Sequence, residues 1–159
     1  MTDVRESIIT RLETVLGGIE GITAVYRDRA EMPIEKLPAA VLLDGSETLA
    51  QEITANKFVR MPPAIFTLMP QIFIVLRPRD DMTNTTLDGA DAPIGPELST
   101  YRNRVITAVV NDPTLLSLVG SNGQILYRGS DTDMQTGSSM VGQIQMHFNF
   151  NYVFIPPQG

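Results

Sequence analysis

The chain has 159 residues, 12 Lys+Arg against 18 Asp+Glu for a net charge of −6, no cysteine and a single histidine. This length suits one hydrophobic core, and 43% hydrophobic with 19% charged residues excludes wholesale disorder. The acidic balance argues against a general grip on nucleic acid, which needs a basic face, and the missing cysteines exclude disulfides, thiolate metal sites and a cysteine nucleophile.

Residues 1–20 scatter charges and hold no apolar stretch of the kind a signal peptide needs. They read instead as a helix. Asp3 is placed to cap it and Glu6 completes a capping-box spacing. Val4, Ile8, Ile9, Leu12, Val15 and Leu16 recur at helical spacing, and Gly17-Gly18 is expected to stop the helix through a left-handed glycine. Ile22 to Arg27 is a short strand candidate, and residues 28–38, with two prolines, read as a connection. Ala39 to Leu43 is a short apolar strand closed by Asp44-Gly45. Glu47 to Lys57 fits a helical turn and a strand flank equally.

Ala64 to Arg77 is the main interior strand, apolar on both faces as for a strand covered on both sides. Pro70 has no amide hydrogen, which predicts a bulge or a local edge there. The run is too short and interrupted to span a bilayer. Residues 78–95 form a long acidic loop carrying Asp80, Asp81, Asp88 and Asp91; such loops are usually functional or disordered. Pro96 suits the first turn of a second helix whose stripe is Leu98, Tyr101, Val105, Ile106 and Val109. Asn111-Asp112-Pro113 ends it and opens a further helical turn closed by Gly120.

The C-terminal third reads as a hairpin, from Gln124 through Met134, with a turn at 137–139. In its second strand Ile144, Met146, Phe148, Phe150, Tyr152 and Phe154 alternate with Gln143, Gln145, His147, Asn149 and Asn151. One face is apolar and the other polar but nearly uncharged, the pattern of an antiparallel sheet with one wet face. The expected fold is α+β, a mainly antiparallel sheet with two principal helices packed on one face, in one domain over 1–159.

Few residues are placed for chemistry. His147 has the amides Gln145 and Asn149 beside it on the polar strand face and reads as a solvated or interface histidine. Asp131 and Asp133, and the carboxylates of the acidic loop, match no metal-loop spacing. The glycines lie at element ends, and none precedes a Lys-Ser or Lys-Thr pair, so no phosphate-cradling loop is present. No catalytic, cofactor-binding or metal-ligating residue is assigned, and no cofactor is expected. The candidate interface residues are Arg77, Arg79, Asp80, Asp81, Asp88 and Asp91 at the loop, and Gln143, Gln145, His147, Asn149 and Asn151 on the last strand. Amides pack against another surface without the desolvation cost of ions.

The whole-chain pattern resembles a known family. The capped helix ending in Gly-Gly, PAAVLLDGSE at 38–47, LSTYRNRVITAVVNDP at 98–113 and QIQMHFNFNYVF at 143–154 look like the bacteriophage tail terminator, or tail completion, group (minor tail protein U-like). The resemblance implies an α+β virion protein that forms a hexameric ring on the head-proximal end of the tail tube. It implies that the ring ends tube polymerisation and offers a surface for head joining. The implied partners are copies of the same chain, the tail tube protein and a head-completion or neck protein, with DNA passing through the lumen ungripped and no membrane. Assembly is implied in the host cytoplasm and residence in the tail or neck of the virion. Other readings are a different neck or head–tail connector component, a cytoplasmic adaptor, and a small metal-dependent enzyme using the acidic loop.

Overall fold

In a computed structural model of the chain, the described residues are 3–28, 34–52, 63–76, 79–80, 94–135 and 139–156. The elements are α1 (Val4–Gly17), β1 (Ala24–Arg27), β2 (Ala39–Glu52), β3 (Ala64–Val75), β4 (Arg79–Asp80), α2 (Ile94–Val110), α3 (Pro113–Val119), β5 (Gln124–Gln135) and β6 (Ser139–Phe154). A single 3-10 turn covers Ile34–Lys36. The principal sheet runs β1-β2-β3-β6-β5, and the two residues of β4 pair with the start of β6. Only β1–β2 is parallel; β2–β3, β3–β6 and β5–β6 are antiparallel. The architecture is the expected α+β one.

The three helices close one face of the sheet. Ile8, Ile9, Leu12 and Leu16 of α1, Leu98, Tyr101, Val105 and Val109 of α2, and Leu115 and Val119 of α3 are buried with one alternate set of sheet residues. That set comprises Ala40 and Leu42 of β2, Leu68, Ile72 and Ile74 of β3, and Ile144, Met146, Phe148, Phe150 and Tyr152 of β6. The period-2 pattern of β6 sends these side chains inward and its amides outward. Aromatic contacts reinforce the layer: Phe148 meets Tyr127 at 5.4 Å between ring centroids, and Phe66 stacks on Phe154 at 4.6 Å. The buried Tyr152 hydroxyl donates to Glu47 of β2; burial, with that carboxylate beside it, pushes the phenol well above its ordinary range.

Several local expectations change. Helix α1 ends at Gly17, but Gly18 has φ −89°; the left-handed glycine is Gly21, at φ +94°. Asp3 caps α1 by accepting the Arg5 amide at 3.0 Å, whereas Glu6 is drawn to Arg27 instead of closing a capping box. Strand β2 does not stop at Asp44-Gly45 but runs to Glu52, with register shifts between Leu43 and Ser46 and between Leu49 and Gln51. Pro70 stays within β3 and is buried there. The bulge predicted at Pro70 lies across the ladder, at Gly45 of β2, because the facing strand supplies the extra residue where Pro70 has no N–H to give. Strand β3 is closed on its helix side only. Its other face shows half-buried Ile65, Thr67, Met69, Gln71 and Phe73, and local cover comes from Leu37, which packs with Ala39, Val75 and Tyr26.

Charged ties join distant parts of the chain. Arg27 donates to Asp44 at 2.8 and 2.6 Å and to Glu6 at 2.6 and 2.9 Å, fastening α1 to the edge of the sheet. Arg11 of α1 forms a two-pronged pair with Asp112 at 2.9 and 2.7 Å, and the same carboxylate caps α3 by accepting the Leu115 amide at 2.9 Å. The Arg11 guanidinium, helped by that amide, holds the Asp112 carboxyl below its usual range. A carboxyl lowered on folding adds stability above its unfolded-state pKa, and that stability is lost as pH falls through the folded-state value. Asp112→Asn keeps a capping oxygen and loses the charge. It is expected to cost about 1–2 kcal/mol at neutral pH, with the deficit shrinking as the pH is lowered below about 4. Urea unfolding of both proteins across acid pH checks this.

Candidate functional site

The sheet face away from the helices is built by strand alternation. On β6, Gln143, Gln145, His147, Asn149 and Asn151 all lie on this face and are half-buried. On β3 the register sets Val75 opposite Gln143, Phe73 opposite Gln145, Gln71 opposite His147 and Thr67 opposite Asn151. On the other flank β5 sets Asp131 opposite Gln145, Gly129 opposite His147 and Leu126 opposite Asn149. Leu43, Ser46 and Thr48 of β2 continue the face beyond β3. The result is a row of amides bordered by Ile65, Met69 and Phe73.

Some of these polar groups are already engaged. Thr67 Oγ1 donates to Asn151 Oδ1 at 2.6 Å, a cross-strand pair that fixes the amide. His147 Nε2 lies 3.4 Å from Asp131 Oδ2. The His147 side chain is 36% exposed and that of Asp131 81%. Gly129, across from His147, adds no side chain to cover the imidazole. Strands β3 and β6 contain no Asp, Glu, Lys or Arg, so His147 is their one ionisable side chain on this face.

The five β6 residues expected at an interface are therefore brought together. The loop residues are not. Arg79 and Asp80 form β4 beside Met140 and Ser139, at the start of β6 and away from the amide row; their side chains lie outside the described residues, as do Arg77, Asp81, Asp88 and Asp91. Asp131 was read as one of a carboxylate pair, and its meeting with His147 went unforeseen. The hairpin pairing puts Asp131 beside Gln145, but the extra residue Arg128 shifts the register, and sequence patterning does not locate such a shift. Among the described residues no group of three or more His, Cys, Asp or Glu is arranged to hold a metal ion. No helix among them is long and apolar enough to cross a membrane.

No family model matches the chain, and no curated protein does. Among solved structures, a chain from the "virion of native gene transfer agent (GTA) particle" aligns with a TM-score of 0.40 and 13% identity, over 94% of this chain and 92% of that one.

Two shallow recesses among the described residues offer no comparable chemistry. One lies between α1 and α3, lined by Ser7, Thr10, Arg11 and Thr114, where Arg11 is committed to Asp112. Another lies where the end of α1 meets α2, lined by Ile19, Asn103, Arg104 and Thr107, where Arg104 donates to the Glu20 carbonyl. The β3–β6 part of the face, which carries no Asp, Glu, Lys or Arg and has apolar borders, suits close contact with another protein surface, since it can be desolvated at little cost.

Proposed function

We propose that this chain is a structural, non-enzymatic subunit of a phage tail or phage-like particle, and that it forms a ring capping the head-proximal end of the tail tube. In this reading the ring ends tube polymerisation and carries the head-joining surface. The observation that supports it most is the open face of β3 and β6, an amide row edged by Ile65, Met69 and Phe73 and free of Asp, Glu, Lys and Arg on both strands. A neighbouring copy of the chain is its occupant. Two chains of charge −6 repel each other across most of their surfaces, and a near-neutral face is where they can meet. The order of elements and the tail-terminator resemblance of 38–47, 98–113 and 143–154 point the same way.

The test mixes the purified chain with tail tubes and images them in negative stain. A ring at one tube end is the expected result; binding at a capsid vertex instead favours another neck component, and bare tube ends overturn the reading. Gln145→Arg combined with Asn149→Arg places charges in the contact. It is expected to abolish rings while shifting monomer stability by less than about 1 kcal/mol, as read by urea unfolding.

A further inference from the structure

We infer that β1 is an openable strap over the edge of β2, that Arg27 is its latch, and that it opens without the rest of the sheet unfolding. The strap is short and thinly packed. It has four residues, all half-buried. Their parallel partners on β2 are Ala39, Ala40, Val41 and Leu42, and every one of these is buried. The same β2 residues are held from the other side by Val75, Ile74, Phe73 and Ile72 of β3. Strand β2 therefore keeps its place when β1 leaves. Strand β1 has no such second neighbour, because it ends the sheet order. Segments with few buried contacts are those that open locally, below the free energy of global unfolding.

Charge holds β1 where packing is thin. Arg27, its last residue, donates from Nε and Nη2 to Asp44 of β2 and from Nη1 and Nη2 to Glu6 of α1. Forked, charge-assisted bonds of this kind are the strong ones. Glu13 of α1 and Asp28 each lie 3.8 Å from the same guanidinium. Arg5 of α1, 3.7 Å from Asp44, is the second cation among the described residues here. Arg27 thus stands among carboxylates from α1, β2 and the end of β1 itself. Its removal turns their attraction into repulsion. The chain just past the latch is strained. Asp28 has φ +51°, a region that costs a residue with a side chain, and its Oδ1 accepts the Asp44 amide at 3.2 Å. Opening releases that strain, so the Arg27 bonds hold the strap closed against it. Closed, β1 denies the backbone of residues 39–42 to any other strand; open, it bares them.

Native-state hydrogen exchange of the full chain in low urea tests this. The amides of Thr23 and Asp28 mark the two ends of the strap, each donating to β2 or its approach at 2.8 Å, to Pro38 and Leu42 respectively. In the wild type both are expected to exchange through an opening that depends weakly on urea, while Phe148 and Phe150 of β6 exchange only with global unfolding. Arg27→Met, which keeps the apolar stem and loses the fork, is expected to speed exchange at Thr23 and Asp28 by about ten- to a hundredfold. The ratio of their rates to those of Phe148 and Phe150 rises with it. Asp44→Asn, which keeps the shape and loses the charge, is expected to act at the same two amides and less strongly. The inference is overturned by a wild type in which all four amides share one opening. It is overturned equally by an Arg27→Met variant that speeds all four alike or none, and by an Asp44→Asn variant without effect at Thr23 and Asp28.

Discussion

Replacing Gly45 by alanine is expected to cost about 4 kcal/mol, at the upper end of single-substitution effects. Gly45 has φ +74°, and a Cβ built there would sit 1.9 Å from the Met69 carbonyl oxygen and 2.8 Å from its carbon. Both obstacles are backbone of the central strand β3, so neither can rotate aside. The positive φ adds strain of its own for any residue with a side chain. Relief requires undoing the bulge that lets β2 pass Pro70, and with it the register of the β2–β3 ladder. The contrast is Gly95 in the first turn of α2, where nothing lies within 4 Å of a Cβ. Gly95→Ala is expected to be neutral or to add about 0.5–1 kcal/mol through helix propensity. Urea unfolding of both variants is the measurement, with unchanged slopes, a large downward midpoint shift for Gly45→Ala and none or an upward one for Gly95→Ala.

Phe148→Ala is expected to cost about 3–5 kcal/mol. The ring is fully buried in the middle of β6, with Tyr127 at 5.4 Å and Phe150 at 6.4 Å between centroids. Helices on one side and paired strands on both flanks leave the hole little freedom to collapse. The adjacent residue gives the opposite expectation: His147→Gln, on the other face of the same strand, is expected to leave monomer stability within about 0.5 kcal/mol. Thermal and urea unfolding of the two variants separate the face that holds the fold from the open face of the same strand.

How much of this was legible beforehand depended on pattern length. Strand β6 and helices α1 and α2 carry strong periodicities, and their inward residues are those the alternation selects. The extent of β2 was missed because Asp44-Gly45 looks like a stop, whereas the glycine provides a bulge inside a continuing strand. Pro70 was a correct sign of an interrupted ladder placed on the wrong strand. The ion pairs were invisible because they join residues far apart in sequence, such as Arg11 with Asp112 and Arg27 with Asp44. Of the candidate interface, the β6 amides followed directly from alternation, while Asp131 reached His147 only through the register shift at Arg128. The loop carboxylates had no comparable pattern to place them.

The sheet order has a consequence for how the protein is made. Strand β6 comes after all the other strands in sequence yet sits inside the sheet, between β3 and β5. During synthesis, β1, β2 and β3 emerge with one edge of β3 unpaired and with its apolar residues uncovered. Pairings of such sequence separation form slowly, because a long loop must close before any contact rewards it. The nascent chain therefore holds a sticky, half-built sheet until β6 pairs with the free edge of β3. A ribosome stalled before β6 exposes an aggregation-prone intermediate, and chaperone engagement should be concentrated on chains of that length.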